Sequence, residues 1–474
     1  MPLVANTVTS NARLRLNAAR CVGVMLFLSG CARADDQRTV PPLPTIAVTH
    51  VGVIDSEHGR FVPDQTVLIR DGRITAVGPA ADVMIPAGAD VVDGKNRFLT
   101  PGFADMHVHL YTEGDAFTYV ANGVTTVRNM AGDTSHLALR ARIASGQLVG
   151  PRIITAGPVV EGAPLSHPDN VRLESPAAVR PELTRQRAAG YDFVKVYNRL
   201  ARPVYDSLVA VAGELGLPVA GHVPFAVGLD GALTARQASI EHFRGYIQAL
   251  LPRSATPPSD ASFRDWSVAW TQIDDGRIAS LVAQTVAAGV WNVPTFAFTV
   301  HELSPAAAHA QLLARTHVRH LSLAGLPTNR ATTSYLRAFT EADYVAAQHG
   351  LEAQFRLAMA LDAAGAKLLV GTDSWLAGYA FVDELELLVR AGLTPARVIR
   401  MATLDAARFL GEDAEWGKVV AGQRANLVLL DADPLVDIRN ARRVRAVVLN
   451  GRLLDHEYHA RSIAALRGRR PTSP

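Results

Sequence analysis

Short apolar runs alternate with amphipathic stretches throughout the middle of the chain, roughly residues 99–411. The apolar runs have the length of β-strands, and helical patterns such as 203–215 lie between most of them. Strands that alternate with helices predict a parallel sheet covered by helices, and eight such units predict an α/β fold of the (β/α)8, or TIM-barrel, type. The eight predicted strands span residues 99–104, 124–128, 151–156, 192–197, 218–222, 238–242, 290–295 and 367–372.

Both ends of the chain carry a different pattern, made of short strands without helices between them. Residues 45–98 contain alternating apolar and polar positions and the pair Asp71-Gly72, which is a hairpin signal. Strands of similar character return within residues 412–458. We therefore expect a small β-sandwich built from both ends, which wraps around a barrel of residues 99–411.

A long segment, residues 243–289, separates the sixth and seventh predicted strands. It begins with a loop that contains three prolines and continues with a stretch of helical character. Because long loops on the catalytic face of a barrel often act as lids, a lid is one interpretation, and a surface decoration is the other. The sequence favours neither of them.

Composition narrows the range of partners. The chain has 474 residues, 49% of them hydrophobic, and a net charge of +3 with the charged residues scattered. This composition provides for a large core, and no block of basic residues interleaved with aromatic ones indicates a nucleic-acid partner. We expect a small-molecule substrate and no nucleic acid, while a homo-oligomer is compatible with the sequence.

The first 34 residues have the pattern of an export signal. Three arginines precede the apolar run 21–28, which is shorter than the roughly 20 residues that a membrane-spanning helix needs. The stretch LSGC (28–31) resembles a lipobox and would place a lipid on Cys31, whereas ARA (32–34) fits ordinary signal cleavage after Ala34. We favour the lipoprotein interpretation slightly. It predicts a periplasmic or cell-envelope protein that contacts the membrane only through Cys31.

Candidate metal ligands stand at the ends of several predicted strands. Both cysteines, Cys21 and Cys31, lie in the export segment, so a metal in the mature chain requires histidine, carboxylate or a modified side chain. His107 and His109 lie on one face of a strand, because side chains alternate along it, and two imidazoles in this arrangement can bind one metal ion. Asp105 lies on the same face.

Three further polar residues end apolar runs in the same way. His222 and His242 are separated by 20 positions, enough for one helix and one strand, and Asp373 follows the run 367–372. In a barrel these strand ends meet at the catalytic face. Asp373 is therefore either a metal ligand and general base or the cap of the next helix.

Lys195 is unusual because it lies in a strand that should be buried. The chain uses arginine almost everywhere and contains four lysines, Lys95, Lys195, Lys367 and Lys418. Burial disfavours the charged amine, and a neutral lysine can add carbon dioxide to form a carbamate, which is an anionic ligand able to bridge two metals. The alternative is a lysine whose amine reaches a polar pocket.

Taken together, these motifs resemble the amidohydrolase superfamily over about residues 45–455. The closest branch is the imidazolonepropionase-like and Xaa-Pro dipeptidase-like amidohydrolases. One departure is Asn426, where aspartate is usual in the family. The matching stretches are PGFADMHVHL (101–110), GVTTVRN (123–129), VKVY (194–197), AGHVP (220–224), SIEHF (239–243), NVPTF (292–296), GTDS (371–374), 393–403 and 422–428.

The resemblance implies a site with two divalent metal ions, of which zinc is the expected identity. His107, His109 and Asp373 would bind the more buried ion, and His222 and His242 the second. Lys195, carbamylated by carbon dioxide, would bridge the two ions together with a hydroxide. Asp373 would take the proton from the nucleophile and deliver it to the leaving nitrogen.

Substrate contacts are expected around this centre. Arg128 ends the second strand and is a candidate for binding a substrate carboxylate through two hydrogen bonds. Tyr197 and Arg199 follow Lys195 at the rim, and His167 lies on the loop after the third strand, where it could contact the substrate carbonyl.

The predicted function is an exported, metal-dependent amidohydrolase that cleaves the amide bond of a dipeptide or an N-acyl amino acid. Hydrolysis of a cyclic amide or lactone at the same site is the first alternative. A mononuclear deaminase is the second, although such sites usually lack the bridging lysine. A binding protein that has kept the barrel without catalysis is a remote third.

Overall fold

The structure is a computed structural model that describes residues 44–258, 261–315, 333–455, 457–458 and 461–462. The export segment 1–34 and Cys31 therefore lie outside the described residues. The strands are β1 Ile46–Asp55, β2 Arg60–Arg70, β3 Arg73–Pro79, β4 Asp90–Asp93, β5 Phe98–Pro101, β6 Phe103–Val108, β7 Val124–Asn129, β8 Arg152–Thr155, β9 Val160–Glu161, β10 Val171–Arg172, β11 Val194–Val196, β12 Val219–Gly221, β13 Ser239–Glu241, β14 Trp291–Val293, β15 Lys367–Leu368, β16 Leu427–Leu430, β17 Val444–Leu449 and β18 Arg452–Asp455.

Helices occupy most of the connections between the barrel strands. Within the part of the chain that the structure describes, none of them has the length and apolar content needed to cross a bilayer. They are α1 Glu113–Ala121, α2 Thr134–Ala144, α3 Pro176–Ala189, α4 Arg202–Leu215, α5 Gly228–Thr234, α6 Tyr246–Leu250, α7 Phe263–Val268, α8 Ile278–Ala288, α9 Phe296–Glu302, α10 Ala306–Ala314, α11 Glu341–Ala363, α12 Ala380–Arg390, α13 Pro395–Arg400 and α14 Ala406–Phe409.

Eight parallel strands among the described residues form the barrel, as the sequence predicts. β6, β7 and β8 pair in order, and β11 to β15 pair in order. The amide of Asp192 donates to the carbonyl of Thr155 (2.9 Å) and links the two groups of strands. The amide of Met106 donates to the carbonyl of Val370 (2.8 Å) and closes the barrel. The predicted α/β barrel class is therefore confirmed.

The two ends of the chain share one eight-stranded sheet. Its order is β18-β17-β16-β5-β1-β2-β3, and β4 pairs with β1. The two ends meet where β5 and β16 run antiparallel, with Leu99 opposite Leu429. The face of this sheet that includes Ile46, Val67 and Leu427 is buried, so strands from opposite ends of the sequence share one apolar core.

The strand predicted over 99–104 is wrong in its extent. Residues 98–101 belong to the terminal sheet, and the first barrel strand is β6. The chain passes from one sheet to the other at Gly102, where a Cβ atom would lie 2.1 Å from Oγ1 of Thr125. A larger residue does not fit at this position. The amide of Gly102 donates to Asn426 beside the terminal sheet (2.7 Å), and the amide of Phe103 donates to Gly123 beside the barrel (3.0 Å), so the two strands separate here.

Glycines end several barrel helices just before the next strand begins. Gly190, Gly216 and Gly289 follow α3, α4 and α8 with φ values of 91°, 65° and 66°. This left-handed conformation is typical of helix C-termini, where glycine pays no steric penalty. The short connections that result return the chain to the barrel at β11, β12 and β14.

Candidate active site

The C-terminal ends of the barrel strands surround a cavity of about 510 Å³. Its floor contains all six residues that the sequence predicts as metal ligands. β6 carries His107 and is followed by His109, β11 carries Lys195, and His222, His242 and Asp373 follow β12, β13 and the last barrel strand. Strands that are far apart in sequence therefore bring these side chains to one place.

His107, His109 and Asp373 form a compact group that could hold a metal ion. Their potential ligand atoms all lie within 4.8 Å of one another, and no other group of three histidine, cysteine or acidic residues among the described residues meets this condition. Oδ1 of Asp373 lies 3.1 Å from Nε2 of His109 and 3.6 Å from Nε2 of His107.

His222, His242 and Lys195 stand beside this group. The ring of His242 lies 4.6 Å from that of His107 and 5.0 Å from that of His222, measured between centroids. The Lys195 side chain is buried and runs past Gly221, where a Cβ atom would lie 2.8 Å from Cδ of Lys195. Glycine at this position therefore leaves the space through which the lysine reaches the cavity.

Hydrogen bonds at Nδ1 fix the orientation of three of the histidines. Nδ1 of His107 lies 2.7 Å from Oε2 of Glu241, and Nδ1 of His222 lies 2.7 Å from Oδ1 of Asn198. Since carboxylate and amide oxygens accept hydrogen bonds, both rings carry their proton on Nδ1. The lone pair of Nε2 is then free for a metal, which is the usual arrangement around metal-binding histidines.

His242 follows the same rule through a hydroxyl group. Its Nδ1 lies 2.6 Å from Oγ1 of Thr295, and this hydroxyl donates its own proton to the carbonyl of Pro294 (2.7 Å). The hydroxyl must therefore accept from the imidazole. Nε2 of His107 is buried without a hydrogen-bond partner among the described residues, which is the position expected of a metal-binding nitrogen.

Burial keeps His107, His222 and His242 neutral, as metal binding requires. Burial lowers the pKa of His242 to about 3 and holds the pKa values of His107 and His222 well below the usual value. Burial alone would raise the pKa of Asp373, but the hydrogen bond with Nε2 of His109 favours the ionised carboxylate, and the pKa falls below its usual value. Burial also lowers the pKa of Lys195 to about 8, which makes a reactive neutral amine accessible near neutral pH.

Several site residues have a left-handed backbone that non-glycine residues rarely adopt. The φ values are 57° at His242, 56° at Thr295 and 46° at Asp373, and each residue follows the end of a barrel strand. Such conformations cost about 1–3 kcal/mol each and persist where the surroundings enforce them. Here, the amide of His242 donates to Val293 and that of Asp373 to His107.

Asp105 does not line the cavity, although strand alternation predicts it on the same face as His107 and His109. Its carboxylate accepts hydrogen bonds from the amide (3.0 Å) and the hydroxyl (2.8 Å) of Thr372. Burial raises its pKa to about 7 despite these bonds. Asp105 therefore links the first barrel strand to the loop that carries Asp373.

The prediction that Arg128 binds a substrate carboxylate is wrong. The side chain is fully buried and does not line the cavity. Its guanidinium group pairs with Glu241 (2.9 Å) and donates to the hydroxyl of Ser239 (2.8 Å) and the carbonyl of Met106 (2.6 Å). Arg128 therefore neutralises the carboxylate that orients His107.

The other predicted substrate contacts do line the cavity. The ring of Tyr197 stacks on His222 at 4.0 Å, and the ring of His167 lies 6.2 Å from that of Tyr197. Arg199 is already engaged, since its guanidinium donates to Ser166 (2.8 Å) and lies 3.6 Å from Glu161. It is therefore less available to a substrate than its position in the sequence indicates.

Sequence reasoning missed four residues that shape the site. Glu241, Asn198 and Thr295 orient the histidines, and Arg244 lines the cavity. The first three have a sequence signal, because each lies within a few positions of a strand end. Their partners cannot be read from the sequence, since Glu241 is 134 positions from His107.

Comparisons with known proteins agree with this geometry. The model described as "Amidohydrolase family" matches residues 98–454. The chain belongs to the amidohydrolase family. Imidazolonepropionase from Symbiobacterium thermophilum is 25% identical over 385 residues, which cover 78% of this chain and 84% of that protein.

Two solved structures are also similar to this amidohydrolase. Bottromycin amidohydrolase is 27% identical with a TM-score of 0.69, covering 89% of this chain and 90% of its own. A protein described as a prolidase, from Bifidobacterium longum, has a TM-score of 0.67 at 22% identity, and the match covers 90% of this chain and 100% of that protein. The predicted superfamily is thus confirmed, and the chain is a hydrolase acting on carbon–nitrogen bonds. Metal ions are general in this superfamily.

Replacement of Arg128 tests whether it serves the structure or the substrate. Arg128→Met leaves the buried Glu241 carboxylate without its cation, so we expect a loss of about 3–5 kcal/mol in the free energy of unfolding, measured with urea. The double variant Arg128→Met, Glu241→Gln should recover part of this loss because it removes the unpaired charge. Unchanged stability, together with a raised KM for carboxylate substrates alone, would restore the substrate-binding role.

Proposed function

We propose that this amidohydrolase is an exported, metal-dependent enzyme that hydrolyses the amide bond of a small molecule, a dipeptide or an N-acyl amino acid. One observation carries the proposal. Three histidines donate Nδ1 protons to fixed acceptors, so their Nε2 atoms are available around one cavity that also contains Asp373 and Lys195. Nitrogen and oxygen donors of this kind suit zinc and related divalent ions.

The residues fit two ions. His107, His109 and Asp373 would hold one, and His222 and His242 the other, with carbamylated Lys195 between them. The carbamate would supply the anionic oxygens that the second pair of histidines lacks. When bound, such ions lower the pKa of water and polarise a substrate carbonyl.

Asp373 is the proposed proton carrier of the reaction. It lies at the cavity floor, its carboxylate is ionised, and Nε2 of His109 and Nε2 of His242 lie 3.1 Å and 3.6 Å from its oxygens. It would accept the proton of the attacking water and pass it to the leaving nitrogen, which must be protonated before the amine can depart. The products are a carboxylic acid and an amine.

Similarity to a protein described as a prolidase and to imidazolonepropionase supports two substrate types, linear and cyclic amides. We favour the linear type because the cavity, about 510 Å³ in total, continues from the metal-ligand candidates to a wall that includes Arg244 and several aromatic side chains. Turnover of cyclic amides with no turnover of linear ones would favour the alternative.

Substitutions of Lys195 and Asp373 on the cavity floor test the proposed mechanism. Lys195→Ala and Asp373→Asn should each lower kcat/KM by at least about a thousandfold on any substrate of the native enzyme, while the circular dichroism spectrum is retained, since each variant loses an essential group. Lys95→Ala, at an exposed position, is the matched control and should keep native activity. Retained activity in both floor variants would overturn the mechanism.

Export and lipid attachment are tested at the two cysteines. In a bacterial host the native chain should sediment with membranes, because a lipid on Cys31 would anchor it. Cys31→Ser should release it, whereas the control Cys21→Ser should not. A soluble native protein that begins after Ala34 would support ordinary signal cleavage instead.

A further inference from the structure

Arg244 lines the cavity that contains the metal-ligand candidates. It follows His242 by two positions, beyond the end of β13, and lines the same cavity as Tyr197 and His222. Its guanidinium carbon lies 5.7 Å from the centre of the Phe263 ring, so the aromatic face supports the cation on one side.

Within the part of the chain that the structure describes, the guanidinium group of Arg244 has no acidic partner. No carboxylate of the described residues forms an ion pair with it, and its Nε atom is buried without a hydrogen-bond partner there. The two other arginines near the site differ, because Arg128 pairs with Glu241 and Arg199 lies 3.6 Å from Glu161. An unpaired cation that is partly removed from water raises the free energy of the folded protein, unless an anion from outside the chain binds to it.

The surroundings define the chemistry of that anion. The planar guanidinium group matches a carboxylate through two parallel hydrogen bonds. The cavity wall beside Arg244 is aromatic: Phe225 stacks on Trp266 at 5.2 Å, and the rings of Phe263 and Phe298 lie 6.0 Å apart. These rings would contact an apolar group attached close to the carboxylate.

We propose that Arg244 binds the carboxylate of the substrate and thereby selects N-acyl amino acids, or dipeptides, with an aromatic or large apolar side chain. The inference rests on the proposed amide hydrolysis and assigns its specificity. The sequence suggested this role for Arg128. Arg244 follows the end of a strand and lines the cavity, whereas Arg128 lies within a strand and is buried outside the cavity.

The test compares N-acetyl-L-phenylalanine with its neutral counterpart, N-acetyl-L-phenylalaninamide, on the metal-loaded full chain. The native enzyme should show a kcat/KM at least about 30-fold higher for the acid, the range expected for a charged hydrogen-bonded pair. Arg244→Met should remove this preference by losing activity on the acid alone. Arg253→Met, at an exposed position of the same segment, should retain it.

A second variant and a binding measurement distinguish loss of the carboxylate contact from misfolding or from absence of turnover. Arg244→Lys keeps the charge without the planar fork and should restore part of the preference if Arg244→Met folds poorly. Stabilisation of the native enzyme against heat by each compound reports binding without turnover. Heat stabilisation by the acid alone, without hydrolysis, would support Arg244 while contradicting the proposed reaction on this substrate class. Equal binding and equal hydrolysis of both compounds, or binding of neither, would overturn the inference.

Discussion

The site depends on one buried carboxylate, that of Glu241. One of its oxygens accepts from Nδ1 of His107, and the other accepts from the guanidinium group of Arg128. Glu241 is on β13 and its two partners are on β6 and β7, so this cluster connects opposite parts of the barrel wall. A carboxylate in this position is tolerable only because a cation neutralises it. Because this carboxylate accepts the hydrogen bond from Nδ1 of His107, Nε2 of His107 is the nitrogen available to the cavity.

The same arrangement is repeated with weaker acceptors around the cavity. An amide oxygen orients His222 and a hydroxyl group orients His242, so three histidines present the same nitrogen from three strand ends. On the cavity wall, His242, Thr295 and Asp373 have a left-handed backbone at a local energetic cost. Hydrogen bonds between the amides of His242 and Asp373 and the neighbouring strands hold two of these conformations.

The sequence predicts the barrel, its strand order and the residue types of the floor, because apolar runs mark strands and polar residues at their ends mark the catalytic face. It does not predict which partners a buried polar side chain finds inside the barrel. Asp105 faces Thr372 instead of the cavity, and Arg128 is enclosed by the barrel although it ends a strand. The boundary at Gly102 is likewise not predicted, since the run is continuous in apolar character while its hydrogen bonds change there from Asn426 to Gly123.

Pairings across the barrel are also beyond a single sequence. Glu241 contacts His107 and Arg128, which are more than 100 positions away. Arg244 differs from the other arginines because its Nε atom has no hydrogen-bond partner among the described residues, and no sequence motif indicates this. The strand-end positions led to metal-ligand candidates that all line one cavity, whereas Arg128, chosen for the same reason as a carboxylate-binding residue, is buried away from it. The two arginines differ in their partners, because Arg128 forms an ion pair with Glu241 and Arg244 forms none among the described residues.

The most direct test of the account is the metal content of the native chain. The protein, expressed with zinc and bicarbonate and dialysed free of loosely bound ions, would be measured by elemental analysis. We expect about two divalent ions per chain, because two groups of donors share the cavity floor. One ion per chain would contradict the lysine-bridged pair, and none after reconstitution with zinc would contradict the metal centre itself.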